Sequence, residues 1–117
     1  MNSYQDLIVW QKAMDLVVGL YTVTKDFPAE ERFGLVSQMR RAAVSIPSNI
    51  AEGYRRRSLA DNQRFLRIAY GSASELETQM LIAKRLEYGK ADALSSVYML
   101  LTEVLRMLNK MTAEAAV

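Results

Sequence analysis

The side chains that could do chemistry are concentrated between Arg40 and Arg67. Seven arginines lie in that segment against only Glu52 and Asp61, a local balance of +5 in a chain whose formal net charge is +2. Guanidinium groups suit bidentate contact with phosphate. This predicts a surface that binds the backbone of RNA or DNA with strong salt dependence and little sequence preference. The predicted nucleic-acid-binding residues are Arg40, Arg55, Arg56, Arg57, Arg64 and Arg67.

The same arginines have a second interpretation that needs no ligand. A run of charges is usually a solvated helix face, and Arg55, Arg56 and Arg57 are expected near a helix C-terminus, where the helix dipole favours cations. They would then serve solubility or the pairing of subunits. Two classes of function stay open: a nucleic-acid-binding oligomer, and a structural or protein-interaction scaffold with no nucleic-acid role.

A ladder of polar residues follows one line of the second predicted helix and includes Arg41, Ser45, Ser48 and Glu52. If the third helix runs antiparallel to the second, Arg41 lies within one turn of Glu75, and we predict an ion pair between them. Glu52 and Glu75 would lie about four turns, roughly 20 Å, apart, which excludes them as the acid and base of one catalytic site. We therefore predict a structural polar seam formed by Gln38, Arg41, Ser45, Asn49, Glu52, Ser72 and Glu75.

Missing residue types restrict the chemistry further. The chain contains no histidine and no cysteine, so it lacks the commonest metal ligand, the commonest general base and any thiolate or disulfide. We find no phosphate-binding loop, nucleophile arrangement or metal-ligand spacing, and expect no catalytic residues, no metal, no cofactor and no enzymatic activity. The absence of a long apolar run and of a leader segment predicts a cytoplasmic protein with no membrane role.

Helices must position these residues, because half of the chain is hydrophobic and it has only five glycines and two prolines. Apolar spacings of three and four residues predict helices at about 4–25, 35–54, 59–87 and 92–111 of a single domain, 1–117. The short connections predict an all-α, up-down-up-down antiparallel four-helix bundle rather than a continuous coiled coil.

Pro47 falls inside the second predicted helix, where proline costs about 3 kcal/mol unless the helix bends. Neighbouring Ser45, Ser48 and Asn49 can bond the freed backbone groups. We predict that the second helix is kinked at Pro47 and wraps around the core. The alternative is that the kink opens a small polar pocket.

The first helix carries two apolar stripes, where a surface helix needs one. The first stripe is predicted to face the core and consists of Leu7, Trp10, Met14, Val17 and Tyr21. The second stripe is predicted to contact other copies of the chain, together with an apolar flank of the fourth helix. The predicted oligomer interface is Val9, Leu16, Leu20, Val23, Leu100 and Met107.

Three segments also carry a resemblance to a known family: LIVWQKAMDLV, FPAEERFGLVSQMRRAAVSIPSNIAEG and FLRIAYGSASELETQ, in this order. They resemble the bacterial four-helix-bundle proteins encoded in intervening sequences of large-subunit ribosomal RNA genes. The chain is also similar, more distantly, to the accessory variability proteins of diversity-generating retroelements. The motif positions in this chain are Gln38, Arg40, Arg41, Ser45, Asn49, Glu52, Gly53, Gly71, Ser72 and Glu75.

The resemblance implies a cytoplasmic four-helix bundle that assembles as a ring-like homopentamer and has no established enzymatic activity. For the retroelement proteins it further implies nucleic-acid binding through a basic surface and association with a reverse transcriptase. These partners are expectations from the resemblance and do not come from the spacing of residues.

Overall fold

Four α-helices build the part of the chain that the computed structural model describes, residues 3–116, with side chains for 3–112. Their bounds are Ile8–Thr24 for α1, Leu35–Arg55 for α2, Leu59–Arg85 for α3 and Ala91–Ala116 for α4. Within this range each helix packs against the next, and α1 also packs against α4, while the backbones of the diagonal pairs lie farther apart. The all-α four-helix bundle is thereby confirmed. No helix in the described range has the length and apolarity needed to cross a membrane.

Side-chain caps determine where the helices begin. Ser58 Oγ accepts a hydrogen bond from the backbone N–H of Asp61 at 3.1 Å, which opens α3 at the predicted position. The capping box of Ser3 and Asp6 instead closes a separate 3-10 turn, Tyr4–Asp6. The extended backbone of Leu7 separates that turn from α1, so α1 begins later than the pattern predicts.

The core runs along the bundle axis and is filled by aliphatic side chains and methionine. Its largest fully buried members include Leu16, Leu20, Met39, Ile46, Ile50, Leu76, Met80, Leu101 and Leu108. Small buried residues, Ala13 on α1 and Ala69 and Ala73 on α3, let neighbouring helices approach closely. Gly71 does not share that role, because it is exposed and nothing lies within 4 Å of the position its Cβ would take.

The structure places the second stripe of α1 in the core and leaves part of the first stripe exposed, although Leu7, Trp10 and Val17 of the first stripe also pack against the core. Val9, Leu16, Leu20 and Val23, predicted for the oligomer interface, are at most 2 % exposed and belong to the monomer core. The remaining two predicted interface residues, Leu100 and Met107, are half-buried and pack against that core. Met14 and Tyr21, predicted for the core, are instead 39 % and 38 % exposed. Spacing alone does not tell the two stripes apart. Beside the buried stripe α1 packs closely against α4, since a Cβ at Gly19 would lie 3.2 Å from Val97 Cγ2.

Pro47 is buried inside α2, and the helix continues on both sides of it. Two polar neighbours donate to carbonyl groups one turn back. Ser48 Oγ donates to Val44 O at 2.8 Å, and Asn49 Nδ2 donates to Ser45 O at 2.8 Å. The kink itself stays a prediction.

An ion pair on the surface joins α1 to α4 and gives a first testable prediction. Lys12 Nζ lies 2.6 Å from Glu103 Oε2, and this hydrogen bond holds the pKa of Glu103 below its ordinary value of 4.5. A carboxyl whose pKa is lowered by folding stabilises the fold above its unfolded-state pKa and loses that contribution as the pH falls through the folded-state pKa. We therefore expect the stabilisation to begin to decrease near pH 4.5 and to be gone once the pH is below the lowered pKa of Glu103 in the folded state.

An NMR titration of the Glu103 carboxyl checks this prediction. In Lys12→Met the pKa of Glu103 should rise toward its ordinary value, and the loss of thermal stability on acidification should become smaller. Because the two side chains are 37 % and 47 % exposed, the effect on stability is small and decreases with salt. An unchanged Glu103 titration in Lys12→Met would contradict the pairing.

Candidate nucleic-acid interface

Five exposed arginines meet where α2 ends and α3 begins, and we call them the arginine corner: Arg55, Arg56, Arg57, Arg64 and Arg67. The first is the last residue of α2, the next two form the connection, and the last two lie in the opening turns of α3. The connection is short because Ser58 caps α3 immediately after the arginine run. The fold therefore brings together five of the six predicted nucleic-acid-binding residues.

The ring of Phe65 holds two of these guanidinium groups in place. Arg56 Cζ lies 4.7 Å and Arg64 Cζ lies 4.4 Å from the ring centroid, which is cation–π distance. Each arginine also pairs with an acidic neighbour: Arg56 Nε lies 3.3 Å from Glu52 Oε2, and Arg64 Nε lies 3.6 Å from Asp61 Oδ1. These carboxylates are about half exposed, so the ion pairs are weak and screened by salt.

Two arginines of the corner have no acidic partner among the described residues. Among the side chains that the structure describes, neither Arg57 nor Arg67 has an ion pair or a hydrogen-bond partner. Arg55 lies over the ring of Tyr4, with Cζ 5.0 Å from the centroid, and has no acidic partner either. The corner thus carries five positive charges against Glu52 and Asp61 and presents an excess of cationic groups to solvent.

Arg40 does not belong to the corner, which corrects the predicted grouping. It precedes Arg55 by 15 residues on α2, about 22 Å at the helical rise. Its Nε donates to Thr24 Oγ1 at 3.0 Å, its Nη2 donates to Tyr21 O at 3.2 Å, and its Cζ lies 4.4 Å from the Tyr21 ring centroid. Arg40 therefore fastens the end of α1 to α2 and is half-buried in doing so.

The predicted polar seam exists between α2 and α3, with changed contacts. Ser45 Oγ and Ser72 Oγ lie 2.8 Å apart across the two helices, and Asn49 Nδ2 donates to Ser45 Oγ at 2.9 Å. Glu52, which was also predicted for the seam, pairs with Arg56 instead. Asn62, which the sequence did not single out, donates from Nδ2 to Gly53 O at 2.8 Å and completes the seam beside the corner.

One end of the seam opens into a polar cavity of about 360 Å³, which we call the seam cavity. It is lined by Gln38, Arg41, Ala42, Ser45, Ser72 and Glu75. The predicted ion pair is absent: among the described side chains, no contact within 4.0 Å joins Arg41 to Glu75. Glu75 Oε2 instead accepts a hydrogen bond from Gln79 Nε2 at 3.2 Å.

The described side chains offer no alternative metal centre, since no three acidic groups converge among them. The described surface offers groups for contact with charged and polar ligands. The arginine corner suits anions, and the seam cavity suits a ligand with both donors and acceptors.

Comparisons with known proteins agree with this architecture. A family model described as "23S rRNA-intervening sequence protein" matches residues 5–110. A solved structure from Bacteroides thetaiotaomicron, described as a protein with unknown function from the S23 ribosomal protein family, is similar over 90 % of this chain and 98 % of its own. The two share 27 % sequence identity, with a TM-score of 0.82. No curated protein matches the chain.

Proposed function

This chain belongs to the 23S rRNA-intervening sequence protein family, and from that premise we propose that its arginine corner binds the phosphate backbone of RNA or DNA. One observation carries the proposal. Five exposed arginines converge on one corner of the bundle, and Arg57 and Arg67 have no acidic partner there among the described residues. Protein surfaces usually intersperse charges of both signs, so an uncompensated cluster of arginines fits a polyanionic ligand.

The geometry supports binding by charge and orientation. Phe65 keeps two guanidinium groups oriented before a ligand arrives, which lowers the entropy that binding must overcome. The ion pairs with Glu52 and Asp61 are half exposed and therefore weak, so phosphate groups can replace these carboxylates and contact each guanidinium through two hydrogen bonds. Contacts of this kind position a strand without reading its sequence. The corner should therefore bind single or double strands with affinity that falls steeply with salt.

The decisive experiment replaces the two unpaired arginines. In Arg57→Ala/Arg67→Ala, fluorescence anisotropy with a labelled duplex and a labelled single strand should show affinity lowered by on the order of 10- to 100-fold at 0.1 M salt. The slope of log Kd against log salt concentration should become shallower by about two, because each lost phosphate contact removes about one released counterion.

A matched control removes the same charge from the opposite end of the bundle. Lys84 and Arg85 are exposed in the last turn of α3, 18 residues or about 27 Å beyond Arg67. Lys84→Ala/Arg85→Ala should leave both affinity and slope nearly unchanged. Equal losses in the two double variants would show that net charge matters and the corner does not. If the parental protein shows no salt-sensitive binding, the proposed nucleic-acid binding is wrong and only the scaffold interpretation remains.

We further propose that the chain forms the ring-like homopentamer that the family resemblance implies, through a different surface from the one predicted. The observation that favours this is a row of exposed apolar side chains on the outer face of α1. Val18 is 64 % exposed, and Met14 and Tyr21 flank it one turn to either side. Val44 of α2 is also exposed and shares the groove beside Met14. A second copy would remove this apolar surface from water.

A further inference from the structure

We propose that the seam cavity binds one unpaired guanine base of a single strand whose phosphates contact the arginine corner. The inference deepens the proposed function and rests on it for the strand, while the base contact can be tested alone. The cavity's volume of about 360 Å³ falls in the range of small-ligand pockets, about 300–1,000 Å³. Its lining consists mostly of hydrogen-bonding side chains, which suits a polar, planar ligand.

The cavity contains charged groups that face the same space without pairing. Arg41 has no hydrogen-bond or ion-pair partner among the described residues, although Glu75 lines the same cavity from the neighbouring helix. Opposite charges on adjacent helices that do not pair are both available to a third group placed between them. A ligand that accepts from the guanidinium and donates to the carboxylate would satisfy both.

Neighbouring side chains orient these groups. Gln79 is only 6 % exposed, and its Nε2 donates to Glu75 Oε2, which restrains the otherwise exposed carboxylate. At the base of the cavity, the hydrogen bond between Ser45 and Ser72 uses one hydroxyl proton, whichever residue donates. The second hydroxyl proton has no acceptor among the described groups and is left for a ligand. The cavity thus offers one cation and one anion, both exposed at its edge, and one spare donor from a pair of half-buried serines.

Guanine matches this arrangement better than the other bases. Its N1–H and N2–H groups are adjacent donors that fit one carboxylate, and its O6 and N7 are adjacent acceptors that fit a guanidinium. Adenine and cytosine would turn a ring-nitrogen lone pair toward Glu75, and uracil would place carbonyl oxygens on both sides of its single N–H. Since N1 and N2 are paired in a duplex, the base must come from a single-stranded region.

The position of the cavity links it to the arginine corner. Both lie on the α2–α3 face, and Ser72 follows Arg64 by eight residues of α3, about 12 Å along the axis. A strand held at the corner can therefore extend along the seam and place a base in the cavity. An amino-acid zwitterion would also satisfy Arg41 and Glu75, but nothing connects it to the corner, so it is an outcome of the test.

Two uridine-rich 12-nucleotide RNAs test the inference, one with a single central guanosine and the other with adenosine in its place. The guanosine strand should bind about 5- to 100-fold more tightly, since a bidentate base contact discriminates by that order. Glu75→Gln should abolish this preference and leave affinity for the adenosine strand unchanged, because the amide turns an N–H₂ group toward the guanine donors. Glu77→Gln, on the α4-facing side of α3, where Glu77 accepts from Tyr98, is the matched control and should keep the preference.

The design separates failure of the inference from failure of the proposed function. Arg57→Ala/Arg67→Ala should weaken both strands equally and keep their ratio. Equal binding of the two strands by the parental protein would overturn the guanine site and leave backbone binding intact. If neither strand binds, the base contact is tested alone by comparing guanosine 5′-monophosphate with adenosine 5′-monophosphate. The site is supported if the guanosine compound, and not the adenosine compound, shifts the amide NMR signals of Ser45 and Ser72. The site is overturned if both compounds shift these signals equally, if neither does, or if free glutamate causes the same shifts.

Discussion

Replacing Leu16 with aspartate is expected to unfold the chain. Leu16 is fully buried at the centre of the core stripe of α1. Deleting a buried leucine side chain costs about 2–5 kcal/mol in free energy of unfolding, and burying an unpaired carboxylate adds several more. Because domains of this size are stable by only about 5–15 kcal/mol, most or all of the stability is lost. Far-ultraviolet circular dichroism should show little helix at 25 °C.

The matched control is Val18→Asp, two residues further along the same helix. Val18 is 64 % exposed, and substitutions at such positions usually change stability by less than about 0.5 kcal/mol. Val18→Asp should melt close to the parental protein. A folded Leu16→Asp variant with a parental melting temperature would contradict the assignment of the core stripe.

The same pair of variants separates folding from assembly. A charge at Val18 should lower the mass measured by light scattering, because it places a carboxylate in the proposed contact between copies while the helix stays folded. Leu16→Asp cannot test assembly, since its loss of mass would follow from unfolding. If a folded Val18→Asp protein keeps the parental mass, the outer face of α1 is not part of the oligomer interface.

Heptad spacing predicted α4 well and α1 poorly, for a physical reason. Of the six heptad positions on α4, Leu94, Val97, Leu101, Val104 and Leu108 are buried, and Met111 is half-buried and packs against the core. Polar residues such as Ser95, Glu103 and Arg106 mark the side of α4 that faces solvent. On α1, apolar residues occupy most of the circumference, so spacing alone cannot tell which face meets the core. The shape of the neighbouring helix decides, through contacts such as Gly19 against Val97.

The candidate site was predictable in position but not in its pairings. The arginine run precedes the helix start at Ser58, so both the corner and its charge follow from the sequence. The partners of long side chains do not follow from the sequence, because they depend on the register of α2 against α3. With Ser45 opposite Ser72, Arg41 lies opposite the turn of α3 that holds Glu75. Glu75 is nevertheless held by Gln79, and the role of Phe65 between two arginines depends on rotamers that no periodicity encodes.

The close approach of α2 and α3 lies at Gly53, which is buried beside the corner. Gly71 of α3 is open to solvent by comparison. A Cβ at Gly53 would lie 3.0 Å from Phe65 Cβ and 3.1 Å from Asn62 O. The hydrogen bond from Asn62 to the Gly53 carbonyl is only possible at this separation.

Gly53→Val should therefore be strongly destabilising. Its side chain meets main-chain and Cβ atoms of α3, which cannot rotate away, so α3 must shift and the Asn62 hydrogen bond is strained. Overpacking of this kind costs about 1–3 kcal/mol, and loss of a buried hydrogen bond adds about 1 kcal/mol. At roughly 4 °C per kcal/mol for a chain of this size, thermal denaturation should show a melting temperature lower by on the order of 10 °C.

Gly71→Val is the control, since it makes the same substitution in a helix of the same pair. No atom lies within 4 Å of its Cβ position, and valine has a slightly better helix propensity than glycine, so the melting temperature should stay level or rise slightly. Equal melting temperatures for the two variants would mean that α2 and α3 do not approach at Gly53. The opposite order would place the close contact at Gly71, because only the glycine that lies between packed backbones has no room for a side chain.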